Sequence, residues 1–203
     1  LIFPMLNNMK FLAEWARSDD DLGWAAREGE LDAIVKFLNE GADIDGKYDM
    51  DFTPLHWAAV MGQAEAVELL ADKGADLNSR DGHQSTPILL AAFFGRPECV
   101  RILLEKGADP ELANKDGSRP LEAMKAGREI TKWVATDILK VPMVWSEVRE
   151  GRKEVRKLLG GGDLQTVRSG EGKQVQQDDW FARNYMPDGK FITHHLWFLY
   201  DLV

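Results

Sequence analysis

The chain is short of what several large classes of function require. One cysteine, Cys99, stands among 203 residues, so no intramolecular disulfide can form and a disulfide-stapled scaffold is excluded. Positive charge is scarce: 25 Lys and Arg against 34 Asp and Glu leave a formal net charge of −9. That balance argues against general affinity for nucleic acid, because phosphate binding draws on clustered basic side chains. No apolar run approaches the ~20 residues a helix needs to cross a bilayer, and no stretch reads as an intact signal peptide. Gly160-Gly161-Gly162 lacks the Lys-Ser/Thr that a phosphate-cradling loop requires. Acidic side chains are dispersed, so neither a metal site nor a cofactor site is expected, and no catalytic residue is assigned. The remaining composition, 44% hydrophobic and 29% charged, suits a folded chain and argues against wholesale disorder.

Both ends are apolar. The chain starts Leu1-Ile2-Phe3-Pro4-Met5-Leu6 and finishes Leu196-Trp197-Phe198-Leu199-Tyr200-Asp201-Leu202-Val203. Free termini are usually polar. These ends therefore read as a piece of a longer protein. Each is either the stub of a membrane helix or a tail packed on the domain.

Between the ends lies an internal period. Gly29, Gly62 and Gly95 stand 33 residues apart; so do Gly41, Gly74 and Gly107, and Pro54, Pro87 and Pro120. The pairs Ala25-Ala26, Ala58-Ala59 and Ala91-Ala92 keep the same step. Thr53-Pro54 and Thr86-Pro87 are helix starts, with Thr capping free N–H groups and Pro at the first helical position. Asp20 is the expected cap in the first repeat. The Ala pairs let two helices pack closely, and the first glycine of each repeat ends a helix in the left-handed region. Second helices follow over Leu31 to Asn39, Ala64 to Lys73 and Pro97 to Lys106. Their apolar faces recur at helical spacing, as in Val67, Leu69-Leu70 and Val100, Leu103-Leu104. Gly41-Ala42-Asp43 and its two counterparts lead into projecting hairpin loops.

Thr53-Pro54-Leu55-His56-Trp57-Ala58-Ala59 resembles the signature of the ankyrin-repeat family. The resemblance covers Asp20 to Ile138 and implies an all-α solenoid of helix-turn-helix units: three full repeats and a closing fourth begun by Pro120-Leu121-Glu122-Ala123. Departures occur where repeat three reads Thr86-Pro87-Ile88-Leu89 without His, and where repeat four has Arg119 in place of Thr. The family carries no catalytic machinery. His56 reads as a structural histidine near the Thr53 cap, and Cys99 as a small core residue.

The resemblance also implies that another protein binds on a concave surface, at the hairpin tips and the exposed ends of the first helices. In this sequence the tips supply Tyr48, Asp49, Met50 and Phe52, then Asp81, His83 and Gln84, then Lys115 and Asp116. The helix ends supply Arg27, Glu28, Val60, Met61, Phe93 and Phe94. Val60, Met61, Phe93 and Phe94, with Met50 and Phe52, are expected to form an exposed apolar strip rimmed by charge. The competing reading is that the two Phe fill space between first helices or that a tail covers the strip.

The expected organisation is an apolar segment at 1–19, repeats at 20–139, an amphipathic helix at 140–159, a flexible linker at 160–180 and an apolar segment at 181–203. Ile130 to Ile138 reads as the last helix of the closing repeat. Met143 to Leu159 has a thin apolar stripe beside Arg149, Arg152, Lys153, Arg156 and Lys157. That face either touches an anionic membrane surface or is a solvated face of a helix packed on the stack. Finally, His194-His195-Leu196-Trp197-Phe198-Leu199-Tyr200 resembles a stretch opening one membrane helix in the third family of integral-membrane acyltransferases. This resemblance would make the stack an insert between two membrane helices of an enzyme that acylates sugars or other envelope components. The chain is then either a free interaction module, cytoplasmic, or a membrane-associated insert attached through its apolar ends.

Overall fold

The computed structural model describes residues 21–160. The apolar ends, the linker beyond Gly160 and the acyltransferase-like stretch lie outside the described residues. So does Asp20.

Within them the chain is helical, with no strand. Three helix pairs and the first helix of a fourth follow the 33-residue period. The first helices are α1 (Leu22–Glu28), α3 (Pro54–Met61), α5 (Pro87–Phe93) and the single turn α7 (Pro120–Ala123). The second helices of three pairs are α2 (Leu31–Asn39), α4 (Ala64–Asp72) and α6 (Pro97–Lys106). A short helix α8 (Arg128–Trp133) runs into a π-helical turn (Val134–Ile138), and α9 (Trp145–Leu158) follows.

Capping explains where the first helices begin. The Thr53 hydroxyl accepts from the His56 N–H at 3.4 Å, and His56 Nδ1 accepts from the Thr53 N–H at 3.1 Å, a reciprocal cap. His56 Nε2 then donates to the Ser85 carbonyl at 3.1 Å, tying one repeat to the next. Burial holds this imidazole neutral, with its pKa lowered to about 4. In the first repeat the cap is Asp21, one residue later than expected: its carboxylate accepts from the Trp24 N–H at 2.7 Å. Where Arg119 replaces Thr, the Glu122 carboxylate accepts from the Arg119 N–H at 3.1 Å instead.

The first helices pack side by side in one row, α1 on α3 on α5 on α7. The second helices form a parallel row, α2 on α4 on α6. Between the rows, all six alanines of the Ala pairs are buried, with Ile34, Val67 and Val100 against them at the repeat period. A larger side chain at these alanines would push the rows apart.

The closing repeat differs from expectation. Its second helix is α9 and not Ile130–Ile138. Helix α9 packs on α6 as α6 packs on α4, and Val155 joins the core that holds Val67 and Val100. A hydrogen-bond series confirms the register. Gln63 Nε2 donates to the Arg27 carbonyl at 3.1 Å, Arg96 Nε to the Val60 carbonyl at 3.1 Å, and Arg152 Nε to the Phe93 carbonyl at 2.8 Å. The three acceptors stand 33 residues apart. Val155, however, lies 55 residues after Val100, 22 more than the period. The surplus is the stretch between α7 and α9, which leaves the stack and returns.

Candidate interaction surface

That extra stretch determines what the stack presents. Residues 128–143, called the strap below, lie along the outward side of the first-helix row, the side the sequence assigned to a partner. Val134, Ala135, Leu139 and Val141 are buried there in one cluster with Trp57, Val60, Leu90 and Phe93. Phe52 meets the edge of Trp57 with ring centroids 5.0 Å apart, and Phe93 meets Phe94 at 4.9 Å. Burying a Val or Leu side chain is worth about 1.5–3 kcal/mol, so the strap's apolar side chains account for its place on the row. The π turn fits this task, because widening the helix re-aims side chains over a short length. Arg27 sits with its guanidinium 5.2 Å from the Trp57 ring centroid and donates from Nη2 to the Lys140 carbonyl at 3.2 Å, at the C-terminal end of the strap.

The exposed apolar strip expected from the sequence is therefore absent. Val60, Phe93, Phe94 and Phe52 are buried, and Met61 and Met50 are half-buried, because the strap covers them. Spacing did bring these residues together on one side, but the cover came from a segment that had been placed inside the closing repeat.

The hairpin tips are different. Their turns repeat in register: the Tyr48, Asp81 and Asn114 N–H groups donate to the Phe52, Ser85 and Ser118 carbonyls. Neighbouring hairpins are joined by Gly82 N–H to the Met50 carbonyl and Lys115 N–H to the His83 carbonyl, both at 3.0 Å. This ladder sets the tips in a row. Asp49, Gln84, Lys115 and Asp116 are exposed on it, and His83 is half-buried. Arg27 and Glu28 flank the row's first-helix side, half-exposed and exposed. Tyr48 is half-buried, its ring lying where a Gly23 side chain would otherwise stand. Burial, with Asp21 nearby, pushes its phenol up.

Asp81 is buried. One carboxylate oxygen accepts from the His83 N–H at 2.8 Å and the Ser85 N–H at 2.7 Å, while the other has no hydrogen-bond partner. Desolvation pushes this carboxyl up to about 6. One repeat on, Asn114 makes the same turn without charge, accepting from the Asp116 and Ser118 N–H groups. Cys99 is buried in the core and its thiol is pushed up to about 12, so it is no nucleophile at neutral pH.

Arg152 was counted among basic surface residues, and the structure buries it. Its guanidinium donates to the carbonyls of Phe93, Met124 and Ala126 and to the Thr131 hydroxyl. Burial lowers its pKa to about 10. The other basic residues of α9 are interleaved with Glu147, Glu150 and Glu154, and Lys153 pairs with Glu150 at 2.9 Å. With Arg152 buried and Lys153 paired, α9 shows a face of mixed charge where the sequence suggested a basic one. A legible signal existed: Val155, Leu158 and Leu159 repeat the spacing of Val100, Leu103 and Leu104. Among the described residues no helix is long and apolar enough to cross a membrane, and no group of His, Cys, Asp and Glu is arranged to hold a metal ion.

No curated protein matches this sequence. A family model described as ankyrin repeats in three copies matches residues 22–114. With helix pairs, hairpin ladder and period in agreement, residues 22–114 are an ankyrin-repeat region, and the described chain is an all-α solenoid built on it.

Proposed function

We propose that this ankyrin-repeat region works as a protein-interaction module whose partner meets the row of hairpin tips and its flank at Arg27 and Glu28. The supporting observation is the inter-repeat ladder, which holds three tips in fixed register with mixed charge exposed along them. Preorganised polar tips cost little ordering entropy on binding. The first-helix side between them is covered by the strap. The membrane acyltransferase alternative gains no support, since the tail that suggested it lies outside the described residues.

A photo-crosslinking residue placed at Gln84 or Asp116 should capture a discrete partner in cells expressing the chain. The same residue at Glu68 or Glu105, on the second-helix side, should not. Equal capture at all four positions would refute the assignment.

A further inference from the structure

The strap is an insertion between the two helices of the closing repeat, tied to α9 by the hydrogen bond from Arg152 to the Thr131 hydroxyl. Without it, α7 and α9 would still supply both helices of the fourth pair, and Arg152 would still fasten α9 to the Phe93 carbonyl at the end of α5. Its place on the first-helix face therefore answers to the face itself. We propose that the strap is a built-in ligand of that face, and that the face, once vacated, takes an apolar helical segment of a partner protein in its place. This goes beyond the tip surface, which the strap leaves open.

Three observations favour a detachable ligand over a fixed cap. First, the strap is bounded by Gly127 and Pro142, both exposed, so pivots lie at its two ends. Second, its helix is of weak construction. Six residues of α-helix pass into a five-residue π turn, and Lys140 beyond them stands at φ 53°, where a side chain is disfavoured. Third, its fit is that of an amphipathic peptide in a groove. Val134, Ala135, Leu139 and Val141 face the stack, while Lys132, Thr136, Asp137 and Lys140 are exposed.

The strap also shows what the occupant must look like. The face offers Trp57, Val60, Leu90 and Phe93, so the segment must be apolar on one side. Arg27 takes the carbonyl at the strap's C-terminal end, so a replacing segment should end there in free carbonyls or a carboxylate.

The test uses the full chain and one probe, a fluorescent peptide carrying the strap sequence 126–143. In the wild-type protein, amide hydrogen exchange of 130–141 should run about 100-fold ahead of α3 and α5, reporting strap release without unfolding of the stack. In a variant with Val134→Asp and Leu139→Asp, the strap should be expelled and the peptide should bind at least roughly tenfold tighter than to wild type. Arg27→Ala added to that variant should weaken the capture. Strap and stack exchanging together in the wild type would overturn the proposal, and that measurement stands even if the double variant fails to fold. A folded double variant that does not gain peptide binding would overturn it equally.

Discussion

Asp81→Asn should stabilise the protein above pH 6 and leave it nearly unchanged near pH 4. The carboxyl is buried, one oxygen lacks a partner, and its pKa is raised from 3.8 to about 6. A folded-state pKa above the unfolded value means that the folded chain binds the proton more tightly. The stability that this gives is fully present below about pH 4 and is lost as pH rises through 6. At about 1.4 kcal/mol per pKa unit, ionised Asp81 costs the native state up to about 3 kcal/mol at pH 7. Asn keeps the oxygen that accepts from His83 and Ser85, as Asn114 does one repeat later, and carries no charge. The wild-type profile alone would hide this. His56 titrates with the opposite sign: its pKa is depressed from 6.5 to about 4, so its contribution is present above 6.5 and lost as pH falls through 4. Subtracting wild type from variant cancels His56. Urea unfolding at pH 4, 5, 6 and 7.5 should give a difference near zero at the acid end, rising to about 1–3 kcal/mol at the other. A difference independent of pH, or a loss at pH 7.5, would refute the reasoning.

Gly151→Ala should destabilise by about 3 kcal/mol or more, although Ala favours helices, because its methyl group would run into the Gly95 carbonyl where α9 crosses the end of α5; thermal melting checks it. Arg152→Met keeps much of the stem but leaves the Phe93, Met124 and Ala126 carbonyls without their donor. It should cost about 3–5 kcal/mol, with exchange of 126–131 accelerated more than that of α1. Cys99, buried with a thiol near 12, should resist a thiol reagent at pH 8 until denaturant unfolds the stack. Rapid labelling of the native protein would contradict its placement.

The sequence by itself determined the repeat. Thr53, Pro54, His56, the Ala pairs and the glycines act within a few residues of themselves, through caps, turns and close helix contacts, so their spacing carries the helix boundaries directly. It also placed Val60, Phe93 and Phe94 on one side, because a constant period repeats an orientation. What covers that side was decided only in three dimensions. Val134, Leu139 and Val141 reach Trp57 and Val60 across some 80 residues of chain, and no local pattern encodes such a meeting. The same holds for Arg152, whose sequence surroundings are those of a solvated helix. Its burial follows from the approach of Gly151 to Gly95, which brings the guanidinium to carbonyls from two separate segments, the end of α5 and residues 124–126. Local chemistry wrote the repeats; packing between distant segments chose which of their surfaces stays open.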